Sequence, residues 1–190
     1  MLPKLIRVRR FGDDRGWFTE SYNADRFNGW GIVDRFVQDN HSFSARRGTL
    51  RGLHFQAAPH AQAKLVRCTR GAIWDVAVDI RAGSPTRGRW VGARLSAQGG
   101  EQLYVPVGFA HGFVTLTEDT EVQYKASDLY APQAEGAVRW DDPEVAIEWP
   151  LDGIEPVLSD KDAVAPPLAE LTVEFAYEGD PLGALEEITA

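Results

Sequence analysis

Apolar and polar residues alternate over several short stretches of this chain, which is the pattern of β-strands that turn one face toward a core. The clearest stretch is "AIWDVAVDI" (72–80), whose even-numbered residues from Ala72 to Ile80 are all apolar and would share one face. Further strands are predicted in "RWVGARLSA", "EQLYVPVGFAHGFVTL" and "TEVQYKAS". Turns rich in Gly, Pro and Asp separate these stretches at roughly ten-residue intervals, a spacing typical of sandwiches and barrels rather than of βαβ units.

Helical periodicity is confined to two short segments, 24–30 and 159–164. After about Pro166 the strand pattern weakens, and the tail could pack as a strand or a short helix, or fray. We therefore predict one all-β domain over residues 1–165, a barrel or jelly roll with a few short helices. Residues 166–190 would be an acidic C-terminal tail, either part of the same domain or frayed. The mouth of such a barrel is a usual place for a ligand.

Composition and charge exclude several classes of protein. The chain has 190 residues, 44% of them hydrophobic, which is typical of a folded domain. Its net charge of −8 is concentrated near the C-terminus, because seven of the 28 acidic residues and none of the 20 basic ones follow Lys161. A nucleic-acid-binding protein usually has a basic balance, so we expect no nucleic-acid partner. No apolar stretch is long enough to span a bilayer, so we expect no membrane association.

The single cysteine, Cys68, lies in an alternating apolar run. Alone in the chain, it cannot form an intrachain disulfide, and such a position favours a buried side chain over a reactive thiol. This cysteine usage is compatible with a reducing compartment, and we predict a cytoplasmic protein.

Two predicted strands between residues 49 and 68 carry charged and imidazole side chains among apolar ones. Arg51 and His54 are three positions apart, so strict alternation would place them on opposite faces, whereas a bulge at Gly52 would bring both inward. Lys64 follows on the next strand, and a lysine inside a barrel is costly unless an anion or a developing negative charge meets it. The simpler alternative is a surface arginine and a half-buried histidine.

The segment "PVGFAHGF" (106–113) places His111 among apolar residues after a tight turn, and it resembles the second motif of the cupin superfamily. In cupins this histidine often binds a metal, but the chain lacks the paired histidines and the glutamate of the first cupin motif. The cations Arg51 and Lys64 also disfavour a metal. We therefore predict no metal and no other cofactor. His111 is either a hydrogen-bonded core residue or part of a site.

Several other polar residues could have structural roles only. Tyr124 and Tyr130 could be core aromatics whose hydroxyl groups reach an edge. Ser159 and Asp162, in "LSDKDA" (158–163), could belong to a helix cap. On the residues alone, a structural and a functional role both stay open.

Ten stretches, taken in order, resemble the dTDP-4-dehydrorhamnose 3,5-epimerase family, and they run from about Arg9 to Asp162. They are "RRFGDDRGWFTESY", "QDNHSFSARRGTLRGLHFQ", "AQAKLVRC", "GAIWDVAVDIR", "GSPTRGRW", "YVPVGFAHGF", "YKASDLYAP", "RWDDP", "IEWP" and "LSDKDA". The resemblance implies a metal-free, cupin-type jelly roll that forms a homodimer by exchanging N-terminal strands. It also implies a dTDP-linked 4-keto-6-deoxyhexose as the substrate, inverted at C3 and C5.

The same resemblance implies a role for individual residues. His54 would be the base that removes a proton beside the ketone, and Asp162 would hold its ring. Lys64 would stabilise the enolate oxygen, and Tyr124 would return a proton from the opposite face. The residues that would bind the substrate are Phe11, Arg15, Phe18, Glu20, Gln38, Asn40, Ser42, Arg51, His111, Tyr130, Glu135 and Ser159. The first four of these would bind the nucleotide, often across the dimer.

Three alternative functions stay open at this point. A mono-epimerase that inverts only C3 of a related nucleotide sugar would share these motifs. A non-catalytic sugar-nucleotide-binding cupin would be expected to lose the base or the acid, whereas this chain keeps His54 and Tyr124. A metal-dependent cupin oxygenase or isomerase would contain a stoichiometric transition metal.

Overall fold

Two β-sheets packed face to face form the body of the protein in the computed structural model, which describes residues 1–173 and 175–189. The strands of these ranges are β1 (Lys4–Arg7), β2 (Arg10–Asp13), β3 (Gly16–Thr19), β4 (Gln38–Ser44), β5 (Leu50–Gln56), β6 (Lys64–Arg70), β7 (Ala72–Asp79), β8 (Arg81–Ala82), β9 (Trp90–Ser96), β10 (Glu101–Val105), β11 (Phe109–Thr115), β12 (Thr120–Ala126), β13 (Glu135–Ala137), β14 (Phe175–Ala176) and β15 (Glu186–Thr189). The helices are α1 (Ala24–Gly29) and α2 (Asp160–Ala163), with 3-10 turns at Pro132–Ala134 and Leu168–Glu170. Glu174 and Ala190 of the predicted tail lie outside the described residues.

One large sheet has six strands in the order β15-β1-β10-β6-β12-β4, and the other has five in the order β13-β5-β11-β7-β9. Neighbouring strands in these sheets are antiparallel except for β1 and β15. The main core lies between the sheets, where Val66 and Leu103 of the first meet Ile73, Leu95 and Phe113 of the second. The predicted all-β jelly roll is therefore confirmed.

Strand β7 confirms the predicted alternation and has apolar residues on both faces. Ile73 and Ala77 belong to the core between the sheets. Val76 and Val78 belong to a second cluster on the outer side, together with Phe55 of β5. Segments that follow β13 complete this second cluster, so β7 is a central strand buried on both sides.

Both predicted short helices form, and a side chain caps each of them. At α1 the side chain of Asn23 accepts a hydrogen bond from the backbone N–H of Arg26, and buried Phe27 holds the helix against the body. At α2 the hydroxyl of Ser159 accepts one from the backbone N–H of Asp162. The predicted helix-cap role of Ser159 is therefore correct. No helix in the described part of the chain is long and apolar enough to cross a membrane.

The described part of the tail packs along the domain. Strand β14 pairs with β8, and β15 pairs in parallel with β1. Phe175 and Leu182 are buried, and the buried Arg81 side chain donates a hydrogen bond to the carbonyl oxygen of Asp180. Two ion pairs join β15 to β1: Lys4–Glu186 and Arg7–Glu187. The acidic residues of the tail thus partly match basic residues near the N-terminus.

Cys68 is a buried free thiol, as its position in an apolar run predicts. Burial raises the pKa of this thiol to about 11. The group is therefore protonated at neutral pH, and it behaves as a small apolar side chain of the core.

Candidate active site

A bulge in β5 brings Arg51 and His54 to the same cavity. His111 of β11 lies opposite His54, and the residue two positions further along β11 lies opposite Arg51, so three steps on β5 match two steps on β11. Gly52 makes this possible, because its φ is +136° and a Cβ built on it would lie 2.5 Å from the Cα of Gly112. The predicted bulge is confirmed.

The two sheets and α2 form a cavity of about 240 Å³. Strands β4, β6 and β12 contribute from one sheet, and β5 and β11 contribute from the other. The lining residues are Ser42, Arg51, His54, Lys64, His111, Phe113, Tyr124, Ser159, Lys161 and Asp162. All four predicted catalytic residues are among them, and so are four of the twelve predicted binding residues. The structure thus places side chains from distant parts of the chain around one space.

His54 and Asp162 are joined by a hydrogen bond of 2.6 Å between Nε2 and Oδ1. Asp162 is buried, and the hydroxyl of Ser159 donates to its other carboxylate oxygen at 2.9 Å. Burial acts to raise the pKa of Asp162, but the hydrogen bonds from His54 and Ser159 outweigh it, and the pKa lies below its ordinary value. An ionised carboxylate in this position fixes the orientation of the imidazole ring.

Lys64 extends from the first position of β6 to the cavity wall. Its Nζ donates a hydrogen bond to the carbonyl oxygen of His54 at 3.3 Å and lies 6.0 Å from the centre of the Tyr124 ring. Burial lowers the pKa of Lys64 to about 8, although the charges of Asp75 and Glu135 act in the opposite direction. An ammonium group in this position can stabilise an anionic oxygen that forms in the cavity.

A second histidine–carboxylate pair lies behind the cavity wall. Nε2 of His111 is 2.7 Å from Oδ1 of Asp75, and both side chains are buried. Burial lowers the pKa of His111 and raises the pKa of Asp75, while each partner opposes the effect on the other. His111 is therefore a hydrogen-bonded core histidine that also lines the cavity, and its contact with a substrate stays a prediction.

Tyr124 lies on β12, across the cavity from the sheet that carries His54. Within the described part of the chain, the hydroxyl of Tyr124 makes no hydrogen bond. Burial raises the pKa of the phenol, with smaller contributions in the same direction from Glu135 and Tyr130, while Arg51 lowers it. The phenol is therefore protonated at neutral pH and can donate a proton into the cavity.

Four further predicted binding residues form a network at one end of the site. The amide of Gln38 donates to Oδ1 of Asn40 at 3.0 Å and accepts from the backbone N–H of Tyr130 at 2.9 Å. The hydroxyl of Tyr130 donates to Glu135 at 3.0 Å, and Lys161 forms an ion pair with Glu135. Lys161 also lines the cavity and so connects the network to it.

The predicted nucleotide contacts lie away from the cavity in the single chain. Phe11, Arg15 and Phe18 belong to the β2–β3 hairpin, where the side chain of Arg15 is 89% exposed and Phe18 is 70% exposed. Glu20 follows β3 and forms an ion pair with Arg26 of α1. Their contact with a nucleotide across a dimer stays a prediction.

Three residues in or beside the cavity are absent from the sequence-based prediction of the site: Phe113, Lys161 and Asp75. Lys161 sits between Ser159 and Asp162 in the capped segment, and nothing in its immediate sequence marks it as part of a cavity. Asp75 does have a signal, because it is a carboxylate in the middle of an alternating strand, on the same face as Ile73. A polar residue at such a position usually has a buried partner.

Comparisons with known proteins identify relatives over most of the chain. A family model described as dTDP-4-dehydrorhamnose 3,5-epimerase matches residues 3–170. The dTDP-4-dehydrorhamnose 3,5-epimerase of Sinorhizobium fredii is 53% identical over 174 residues, which cover 92% of this chain and 89% of the relative. The crystal structure of the Bacillus anthracis enzyme with TDP and PPi bound is 52% identical with a TM-score of 0.84, covering 87% of this chain and 93% of that one. The Legionella pneumophila dTDP-6-deoxy-D-glucose-3,5-epimerase in complex with dTDP-4-keto-L-rhamnose is 45% identical with a TM-score of 0.88, covering 93% and 94%.

Fold, cavity chemistry and similarity agree on one class of protein, the jelly-roll epimerases of nucleotide-linked sugars. The family match extends over most of the chain, and it includes every residue that lines the cavity. The chain belongs to the dTDP-4-dehydrorhamnose 3,5-epimerase family, and the resemblance noted in the sequence is confirmed.

Proposed function

We propose that this protein inverts C3 and C5 of dTDP-4-dehydro-6-deoxy-D-glucose, giving dTDP-4-dehydro-L-rhamnose. Protons on the carbons beside the C4 ketone are weakly acidic, because their loss gives an enolate. Inversion needs a base on one face of the sugar, a proton donor on the other and a cation near the enolate oxygen. The observation that carries the proposal is the placement of His54 and Tyr124 on opposite sheets of one cavity that also contains Lys64.

In the proposed first step His54 removes a proton from the carbon beside the ketone. Its Nε2 is engaged by Asp162, which leaves Nδ1 as the nitrogen that accepts the proton. The electron pair of the broken C–H bond moves into the enolate, whose oxygen carries the negative charge at C4. Lys64 stabilises that oxygen, while the carboxylate of Asp162 stabilises the imidazolium.

In the second step Tyr124 donates its phenolic proton to the same carbon from the opposite face. The carbon regains one hydrogen with inverted configuration, so the product is an isomer of the substrate. The imidazolium of His54 releases its proton to solvent and the phenolate of Tyr124 takes one up, which returns both groups to their starting forms. The same two steps at the second carbon complete the double inversion.

Isotope exchange tests this proposal. The purified protein is incubated with dTDP-4-dehydro-6-deoxy-D-glucose in heavy water, and the product is analysed by NMR and mass spectrometry. We expect one deuterium at C3 and one at C5. Label at C3 alone would identify a mono-epimerase, and no label at either carbon, with dTDP binding retained, would identify a non-catalytic nucleotide-sugar-binding protein.

We also propose that the active form is a homodimer in which the β2–β3 hairpin of one chain borders the cavity of the other. The exposed aromatic rings of Phe11, Trp17 and Phe18 on this hairpin support a protein contact there. Light scattering measures the mass in solution. Mixing inactive Arg15→Ala and His54→Ala proteins tests the shared site, because mixed dimers would regain one intact site, whereas a monomer would regain none.

We further propose that the protein acts in the cytoplasm. The buried free thiol of Cys68 supports this location, because such a residue is compatible with a reducing compartment. Fractionation of the producing cell with an antibody against the protein would test it, and recovery outside the cytoplasmic fraction would contradict it.

A further inference from the structure

Asp75 is an ionisable residue in the main core between the two sheets. It lies in the middle of β7, is 0% exposed, and its neighbours on the same face are Ile73 and Ala77 of the main core. In the register of the five-stranded sheet it lies between Phe113 on β11 and Ala93 on β9. A carboxylate in such surroundings is unfavourable unless other groups compensate it, so packing alone does not explain this residue.

Only one of the two carboxylate oxygens of Asp75 has a hydrogen-bond partner among the described residues. Oδ1 accepts from Nε2–H of His111 at 2.7 Å. Oδ2 is fully buried and unpartnered in the described part of the chain. A purely structural carboxylate would be expected to use both oxygens, as Asp79 on the same strand does with Arg81, Ser84 and Thr86.

We infer that Asp75 is a positioning residue of the active site, a buried anion that fixes His111 through Nε2 and keeps Lys64 cationic inside the cavity. With its Nε2 proton directed to Asp75, His111 presents Nδ1 as a hydrogen-bond acceptor, which suits a hydroxyl group of the sugar. The inference rests on the proposed function, because the charge of Lys64 matters there for stabilising the enolate.

Electrostatics support this assignment. The charge of Asp75 is the larger of the two acidic influences that oppose the effect of burial on the pKa of Lys64, ahead of Glu135 on β13. Burial lowers the pKa of His111, Asp75 raises it, and the charges of Lys64 and His54 lower it further. The other titratable or charged groups of the site and its rim are Arg51, Tyr124, Tyr130, Lys161 and Asp162. Among the described groups, Asp75 is thus the one core carboxylate whose charge raises the pKa of both Lys64 and His111.

The Asp75→Asn substitution removes the charge and keeps the size and a hydrogen-bonding oxygen. The chain has four lysines, so ¹³C-labelled lysine resolves their signals, and a Lys64→Gln variant assigns the signal of Lys64. In the unaltered protein we expect Lys64 to titrate near pH 8. In Asp75→Asn we expect its titration, and the alkaline limb of the kcat profile, to move to lower pH together. A nearby opposite charge can shift a pKa by about a unit or more. A one-unit fall from about 8 would lower the protonated fraction of Lys64 at pH 8 from about one half to about one eleventh, so kcat at pH 8 should fall by roughly fivefold or more.

Asp79→Asn is the matched control, since Asp79 lies on the same strand and is equally buried but faces the Arg81 network. It should lower the melting temperature without moving the Lys64 titration. An unchanged Lys64 titration in Asp75→Asn, or an equal shift in Asp79→Asn, would overturn the inference. The lysine titration needs no turnover, so it tests Asp75 even if the protein does not epimerise the proposed sugar.

A measurement on the unaltered protein covers the case in which Asp75→Asn does not fold. The ¹⁵N shifts of His111 report which ring nitrogen carries the proton. We expect the Nε2–H form with an unprotonated Nδ1 at neutral pH. An Nδ1–H form would contradict the assigned role of Asp75.

Discussion

The Gly52→Ala substitution tests whether the bulge in β5 organises the active site. An added Cβ would lie 2.5 Å from the Cα of Gly112 and 3.0 Å from the carbonyl oxygen of His111, and both atoms belong to the backbone of β11. The φ of +136° at Gly52 is itself unfavourable for any residue with a side chain. Relief therefore requires that β5 and β11 separate where they place His54.

The expected cost has two parts. A side chain at an unfavourable positive φ costs about 1–3 kcal/mol, and crowding a packed interior costs about 1–3 kcal/mol more. We therefore expect the free energy of unfolding to fall by roughly 4 kcal/mol, which corresponds to a melting temperature about 8–16 °C lower for a chain of this size. Displacement of His54 by about 1 Å should also lower kcat by roughly a hundredfold.

Gly16→Ala is the control for backbone strain. Gly16 has nearly the same φ, +135°, but beyond its chain neighbours no atom of the described residues lies within 4 Å of a Cβ added there. Urea unfolding followed by tryptophan fluorescence gives the free energy for both variants, and deuterium incorporation gives the residual rate for Gly52→Ala. If both variants lost the same stability, or if Gly52→Ala kept full activity, the bulge would not be what sets the position of His54.

Three further predictions concern the catalytic residues. His54→Ala should abolish deuterium exchange, while dTDP affinity measured by calorimetry stays within about twofold. The control is His60→Ala, which changes a half-buried histidine paired with Asp128 and should leave exchange unchanged. Tyr124→Phe should still permit proton loss but slow inversion by at least about a hundredfold. The expected NMR result is deuterium exchange without formation of the epimer. Full activity would mean that another acid donates the proton. The third prediction is pH-dependent. The pKa of Asp162 is lowered in the folded chain, so its ionised form stabilises the fold above the ordinary pKa of an aspartate, and this contribution is lost as the pH falls through the folded value. In Asp162→Asn the free energy of unfolding, measured with urea, should therefore fall less steeply at acid pH. An unchanged acid dependence would contradict this prediction.

The strands and the capped helix were predictable because their signals are local. Alternation in 72–80 and the Ser159 cap each depend on residues within one turn or one strand, and both reappear in the structure. The bulge at Gly52 was predictable for a related reason, since a glycine inside an alternating strand commonly marks a bulge or a close approach of two backbones.

Pairing across the fold was not predictable from local pattern. Asp162 meets His54 across 108 positions, and Asp75 meets His111 across 36, so only the assembled sheets bring them together. The family resemblance supplied the first pair and not the second. The structure of the tail was also not predictable from local pattern, because β15 is short and largely exposed. Its backbone pairs with the edge strand β1, and it has no apolar face of its own that would mark it as a strand.

The parallel pairing of β15 with β1 has a practical consequence for recombinant work. Without β15, β1 would be the outermost strand of the six-stranded sheet, and its unpaired backbone groups would offer a template to any extended segment nearby. With it, the outermost strand carries Glu186 and Glu187, whose charges discourage such attachment. A protein truncated before Glu186 would therefore be more prone to aggregation and would precipitate more readily at high concentration, even with an intact active site.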